Sequence, residues 1–310
     1  MKNVAVIIVT FNRKEKLLRC IDAVCMQTSE VQPDIFVVDN NSSDGTGEWV
    51  RRYISEHEDK DSKIFYCNLG YNSGGAGGFC YGIRKAFESG YDFMWIMDDD
   101  CIPASDALEQ FLRFDSRFKG DYGFLSGKAL WKDGTPCVMN IQRQTVTRNI
   151  SFPVSDPVPV EMASFASLFI PAGIVREAGL PMRKFFIWTD DWEYTRRISR
   201  RHICWMIPSR QVIHDTESNT GANLASAPDD RLDRFRYLYR NDVYLYRREG
   251  IRGAAYEAAR LCLHTARIAA SKNSAAGKMK RIGIMLRGTF EGLSFFPEPE
   301  RAMTREGDGK

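Results

Sequence analysis

Three consecutive carboxylates, Asp98, Asp99 and Asp100, close the apolar run Phe93-Met94-Trp95-Ile96-Met97. A run of that length reads as a buried strand, and nothing apolar accounts for three acids at its end. Side chains alternate along an extended chain, so Asp98 and Asp100 are expected to face one way and Asp99 the other. Two convergent carboxylates at a strand mouth repel each other and suit a hard divalent cation, which would leave room for phosphate oxygens. A solvated acidic turn is the plainer alternative. His214 follows a strand-like run, and an imidazole beside two carboxylates suits Mn²⁺, which accepts mixed nitrogen and oxygen ligands better than Mg²⁺. A lone histidine is, however, more often structural.

A second acidic group, Asp190-Asp191-Trp192-Glu193, lies close to Trp188. Indole faces pack against sugar rings while carboxylates bind the hydroxyls, and one such acid can take the proton of an attacking hydroxyl. Acids drawn to a helix N-terminus by its dipole give the same pattern. Asp39, with Asn41, Ser43 and Asp44, ends another strand, where a carboxylate can accept from a ribose or base while Asp44 or Ser43 caps the next helix. Gly74-Gly75-Ala76-Gly77-Gly78 permits close backbone approach at a helix N-terminus, or simply makes a tight turn. It follows the third strand and lacks the register of the dinucleotide fingerprint.

The elements that must position these residues read as alternating strands and helices. Val4 to Thr10 is continuously apolar and β-branched, as in a central strand covered on both faces. Leu17, Leu18, Ile21, Val24 and Cys25 put a helix over about 13–28. Ile35 to Val38 and Ile64 to Cys67 are further strands; Trp49, Val50, Tyr53 and Ile54 mark one helix, and Phe79, Ile83 and Phe87 another that Gly90 ends. This order predicts βαβ units and a mostly parallel sheet, with Thr10, Asp39, Asn68 and Asp98 meeting in one crevice outside the strand ends. Later strands are expected over 124–130, 165–172, 204–207 and 212–214, with a polar excursion from 131 to 159 and a helix leading through Arg196 to Arg200.

The chain of 310 residues is 44% hydrophobic and 12% aromatic, and its net charge of +3 is too small to imply nucleic acid. Its eight cysteines show no zinc spacing and read as free thiols of a reducing compartment. Neither a signal peptide nor a transmembrane run is evident, which points to the cytoplasm. From about Asp229 the composition turns helical, rich in Tyr and Arg. That region is expected to pack on the sheet or to rest on anionic lipid, although no single helix shows a clean amphipathic stripe.

Together, Thr10-Phe11-Asn12-Arg13, Val38-Asp39-Asn40, Asn68-Leu69-Gly70, the glycine cluster, Asp98-Asp99-Asp100, Thr189-Asp190-Asp191 and His214 resemble the family 2 inverting glycosyltransferases. The resemblance covers roughly residues 3–220. Within that family, Trp95 to Asp100, Gly74 to Phe79 and Trp188-Thr189-Asp190-Asp191 look most like the bacterial galactofuranosyltransferases. It implies a GT-A fold, α/β and Rossmann-like, over 1–228, with a nucleotide-sugar half at about 1–130 and an acceptor half at about 131–228. A helical C-terminal region over 229–298, able to associate with a membrane, and a disordered tail over 299–310 would follow.

By the same resemblance, Asp98, Asp100 and His214 would hold Mn²⁺ or Mg²⁺, and Asp191 would be the catalytic base. Thr10, Arg13, Asp39, Asn68, Gly74, Gly75 and Asp99 would hold the nucleotide sugar; Trp188, Asp190, Trp192 and Glu193 would receive acceptor or donor sugar. The expected reaction is transfer of galactofuranose from UDP-galactofuranose to a lipid-linked cell-surface glycan, at the inner face of the cytoplasmic membrane. Rhamnose transfer from dTDP-rhamnose, nucleotidyl transfer and nucleotide-sugar binding without turnover are the alternatives. Tyr71-Asn72-Ser73 departs from the pattern by lengthening the segment before the glycines, which bears on donor binding.

Overall fold

A computed structural model of the chain describes residues 2–57 and 62–303. The first half follows the expected order: β1 (Val4–Thr10), α1 (Lys14–Cys25), β2 (Asp34–Asp39), α2 (Thr46–Glu56), β3 (Ile64–Asn68), α3 (Gly74–Glu88) and β4 (Phe93–Asp98). These four strands are all parallel, in the order β3-β2-β1-β4. Thr10 is paired with Asp39, Asp39 with Asn68, and Val9 with Asp98, so the four polar strand ends line one edge as expected.

The alternation in β1 shows how the layers are built. Val4, Val6 and Ile8 pack under α1 and α2, while Ala5, Ile7 and Val9 pack under α3. The glycines of α3 serve that second contact: a Cβ on Gly78 or Gly82 would stand 2.5 Å from Val9 or Ile7. Helix and strand therefore touch closely where the sequence also allowed a phosphate-cradling loop.

Beyond β4 the sheet becomes mixed. β5 (Cys101–Pro103) leads to α4 (Ala107–Phe118), a helix not among the expected elements, although Leu108, Phe111 and Leu112 recur at helical spacing. β6 (Leu125–Leu130) precedes the excursion, which holds a small hairpin of β7 (Arg143–Thr145) and β8 (Arg148–Asn149) and then β9 (Val158–Pro159). β10 (Leu168–Pro171) leads to α5 (Ala172–Ala178), followed by α6 (Asp190–Ser199) and β11 (Trp205–His214). β10 lies antiparallel between β4 and β6. The two short strands expected at 204–207 and 212–214 are one strand, whose register against β6 shifts twice after Met206. Pro208, lacking an N–H for the ladder, falls where that register slips.

Three helices complete the chain: α7 (Phe235–Arg247), α8 (Gly250–Ala270) and α9 (Ala275–Leu293). They have a small core of their own around Leu232, Phe235, Tyr239, Ile268 and Met285. Of the tail expected to be disordered, residues 304–310 lie outside the described residues. Glu300 does not fit the expectation, because its carboxylate pairs with Arg84 and Arg183 and its carbonyl accepts from Leu180 N–H at 2.8 Å. Among the described residues, no helix is long and apolar enough to cross a membrane.

Candidate active site

Where β4 ends, the chain turns, and the strict alternation expected for the three aspartates ends with the strand. Asp98 and Asp100 do converge: one ligand atom each from Asp98, Asp100, Cys101 and His214 lie within 4.8 Å of one another. β5 and β11 pair His214 directly opposite Cys101, which is how the C-terminal end of the sheet delivers the imidazole. His214 Nε2 lies 2.9 Å from Asp100 Oδ1, and Nδ1 lies 2.7 Å from Asn140 Oδ1. Asn140 donates from Nδ2 to Ser164 Oγ at 2.8 Å, and with its oxygen toward the ring it is placed to accept from Nδ1–H.

Charge in this cluster is strongly redistributed. Burial and then the charge of Asp100 raise the pKa of Asp98. Asp100 is held at about 2, because the hydrogen bond and charge of His214, with Arg13 and Lys16, overcome its burial. Burial works against a charged His214, yet Asp100 pushes it up to about 10. Burial and both neighbouring carboxylates push the Cys101 thiol far up, so it presents a neutral sulfur rather than a thiolate. Two carboxylates and an imidazole fit Mn²⁺ or Mg²⁺ with open positions, and a neutral thiol does not argue for a softer ion.

Asp99 is buried and serves its neighbours. It accepts from Thr10 Oγ1 at 2.8 Å and from Arg13 Nη1 at 3.1 Å; the same guanidinium nitrogen donates to Asp100 at 2.9 Å. Thr10 and Arg13, expected to hold the nucleotide, are thus first engaged with the acidic triplet. Asp39 is fully buried: Oδ1 accepts from Ser42 N–H and Oγ at 2.8 and 2.6 Å, and Oδ2 from Tyr66 Oη at 2.6 Å. Asp44, not Ser43, accepts from Thr46 N–H as the next helix begins, at 3.1 Å. Asn68 closes an Asx turn on Gly70 N–H at 2.7 Å.

Gly74 and Gly75 part company. A Cβ on Gly74, whose φ is +71°, would stand 2.0 Å from the carbonyl oxygen of Phe186, whereas one on Gly75 would meet nothing within 4 Å. That same carbonyl accepts from Ala76 N–H at 3.1 Å, so it takes up one donor of the α3 N-terminus.

Phe186 opens the second acidic cluster, and its backbone is unusual. Phe186, Trp188 and Thr189 have φ of +66°, +64° and +65°, a region costly for residues with a side chain. The buried side chain of Asn241, on α7, holds the segment: its Nδ2 lies 3.0, 3.1 and 2.9 Å from the carbonyl oxygens of Phe185, Ile187 and Trp188. Next to it, Asp242 accepts from Thr189 Oγ1 at 2.7 Å and pairs with Arg260 at 2.8 Å. Sequence reading missed Asn140, Asn241 and Asp242; the only signal was a polar Asn-Asp pair inside an otherwise apolar helix face.

The clamped segment delivers Asp190 and Asp191 to the start of α6. Burial, then the charges of Asp98 and Asp242, push Asp191 up to about 7 against the Trp192 N–H that it accepts at 2.7 Å. Asp190 is raised further, by burial and by Asp191 and Asp98. Both therefore lie within electrostatic reach of Asp98. Glu193, expected to reach sugar hydroxyls, is buried in a two-point pair with Arg197, at 3.1 and 2.9 Å. The indoles are also shared with the protein, since Arg143 lies 3.8 Å over the Trp192 ring and Trp188 packs on Phe235.

This architecture and its two carboxylate clusters point to a class. Residues 5–121 match the family described as Glycosyl transferase family 2. The protein is a glycosyltransferase on a GT-A fold, and its N-terminal part is similar to that family. It is similar to galactofuranosyltransferase GlfT1 of Mycolicibacterium smegmatis, 25% identical over 264 residues that span 80% of this chain and 84% of that one. GlfT1 of Mycobacterium tuberculosis is 25% identical over 277 residues, covering 81% and 84%. Among solved structures, the mannosyltransferase PcManGT from Pyrobaculum calidifontis, in complex with GDP-Man and Mn²⁺, is 14% identical, with a TM-score of 0.58 over 94% of this chain and 87% of that one. S. aureus TarS 1-349 is 15% identical, with a TM-score of 0.55 over 94% and 72%.

Proposed function

We propose that the protein transfers galactofuranose from UDP-galactofuranose, with inversion, to a hydroxyl of a lipid-linked cell-surface glycan in the cytoplasm. The observation that carries this reading is the pair of clusters within electrostatic reach of one another, a cation-suited Asp98–Asp100–His214 group and an Asp191 whose carboxyl is pushed up to about 7. The donor sugar is supported by the galactofuranosyltransferase relatives, and a nucleotide-sugar donor by the ligands named for PcManGT.

Asp98, Asp100 and His214 would hold Mn²⁺ or Mg²⁺. When bound, that ion supplies positive charge for the departing diphosphate. Asp191 Oδ1 already accepts from Trp192, so Oδ2 is assigned the proton of the acceptor hydroxyl. The hydroxyl oxygen forms its bond to the anomeric carbon from the face opposite the nucleotide. The bond from that carbon to phosphate oxygen breaks, its electron pair leaves with UDP, and the product is a β-galactofuranoside. Arg13, Thr10 and Asp99 form a linked group beside the leaving phosphates, while Asp190 and the Trp188 and Trp192 edges border the sugars.

Incubation with labelled UDP-galactofuranose and, separately, dTDP-rhamnose tests the donor. Transfer of label with release of UDP is expected from the first. Turnover of dTDP-rhamnose alone would make the protein a rhamnosyltransferase, and pyrophosphate as the product would make it a nucleotidyltransferase.

A further inference from the structure

Helix α9 is packed inside out. Its buried side presents Arg281, Met285, Gly288 and Gly292. The two glycines sit against α7 so closely that a Cβ would stand 2.5 Å from the Arg236 carbonyl oxygen or 2.6 Å from Val243 Cβ. Its large apolar residues are left outside: Met279, Leu286, Phe290 and Leu293 are 75%, 46%, 66% and 60% exposed. At 3.6 residues per turn these four fall within about 60° of one another. A surface helix of a globular domain normally does the opposite, and a contiguous exposed apolar strip marks an interaction site. The sequence hid this stripe, because the buried side of α9 is chosen by closeness to α7 rather than by hydrophobicity.

The charge around the stripe identifies what covers it. From Gly250 to Leu293 the chain carries eight Lys and Arg against two acids, while the rest of the chain carries a net −3. Both acids are already engaged, Glu257 by Arg260 and Glu291 by Arg236 and Arg287. Lys280 and Arg287 flank the stripe and are well exposed. A second copy of the chain would bring like charges together across this face, whereas an anionic bilayer supplies both an apolar interior and negative headgroups.

We propose that the exposed face of α9 is the surface by which the protein rests on anionic lipid, its apolar side chains entering the headgroup boundary and its cations meeting the phosphates. The inference extends the lipid-linked-acceptor reading by giving the protein a place to stand. Its test involves no sugar transfer, so failure of one does not decide the other. Full-length protein is floated with vesicles of phosphatidylcholine alone or mixed with phosphatidylglycerol, at low and high salt, beside the variant Leu286→Glu/Phe290→Glu. Binding only to the phosphatidylglycerol vesicles, weakened by salt and reduced roughly tenfold or more in the variant, is expected. Circular dichroism shows that the variant, altered only at exposed positions, is folded. The proposal is overturned if the wild type does not float with anionic vesicles at low salt, or if the folded variant floats equally well. It is overturned too if lipid-free protein sediments as a dimer that the variant converts to monomer, since a second copy then covers the stripe.

Discussion

The two acidic clusters sit a short electrostatic reach apart but are held in opposite ways. Asp98 lies at the end of a central strand and His214 ends another, joined to the triplet through the sheet itself. Asp190 and Asp191 instead follow a segment with three positive φ values, which persists because α7 satisfies its carbonyls from outside. One cluster is positioned by the GT-A sheet and the other by the helical region that follows it. Binding and chemistry should therefore be separable by mutation, and the helical region should be part of the chemistry.

The largest expected effect comes from Asp191, the proposed base. Asp191→Asn removes the proton acceptor while keeping shape and the Trp192 hydrogen bond, and should lower kcat by about 10²- to 10⁴-fold. Metal-dependent UDP binding, measured by calorimetry, should be retained. If both are lost together, the clusters are not separable and the base assignment fails. The same residue sets the pH profile. A raised carboxyl pKa means that the active, deprotonated form dominates above about 7, so kcat should fall about tenfold per pH unit below it. A cation beside Asp98 offsets the negative charge that helps raise Asp191, so the observed limb should move to lower pH as metal is added.

Asn241→Ala tests whether the helical region shares in the chemistry. The carbonyls of Ile187 and Trp188 lose the Asn241 donor, the positive-φ segment can relax, and a displacement of about 1 Å at Asp191 can cost about 10²-fold in rate. Metal affinity should stay unchanged, since the sheet holds that site. A variant that weakens metal binding as much as kcat would show only general loosening of the fold. The mirror variant is Asn140→Ala, which frees the His214 ring and should weaken metal binding by about 10- to 100-fold without moving the pH profile of kcat at saturating metal. Titration in two buffers of different ionisation heat should also show a proton leaving His214 as metal enters, because Asp100 holds that proton up to about 10.

The contrast also explains what could be read from the sequence. The placement of the Asp98–Asp100 cluster was legible because its strands are continuous apolar runs and their polar ends need only alternate and align. Even there, Cys101 and Asn140 were missed, since the first depends on β5 pairing with β11 and the second on a loop between distant strands. On the base side the acids were visible but their setting was not. Phe186, Trp188 and Thr189 have no local preference for positive φ, and their conformation is imposed by an asparagine more than 50 residues away. The glycine cluster was ambiguous for the same reason, because what fills the missing Cβ positions of Gly74 and Gly78 comes from other parts of the chain.

Glu193 supplies the smallest expected change in activity and the finest test of where the base cluster stops. It lies two residues after Asp191, but its carboxylate is committed to Arg197, which also donates to the carbonyls of Ala178 and Leu180. Glu193→Gln keeps an acceptor for the guanidinium and removes the charge, so the cost should appear as a loss of about 1–3 kcal/mol in stability, read as a lower Tm. The KM values for donor and acceptor should not move. A raised acceptor KM with an unchanged Tm would mean that the pair with Arg197 opens to receive a sugar hydroxyl. The boundary between the residues that meet substrate and those that hold them would then lie beyond Glu193 on α6.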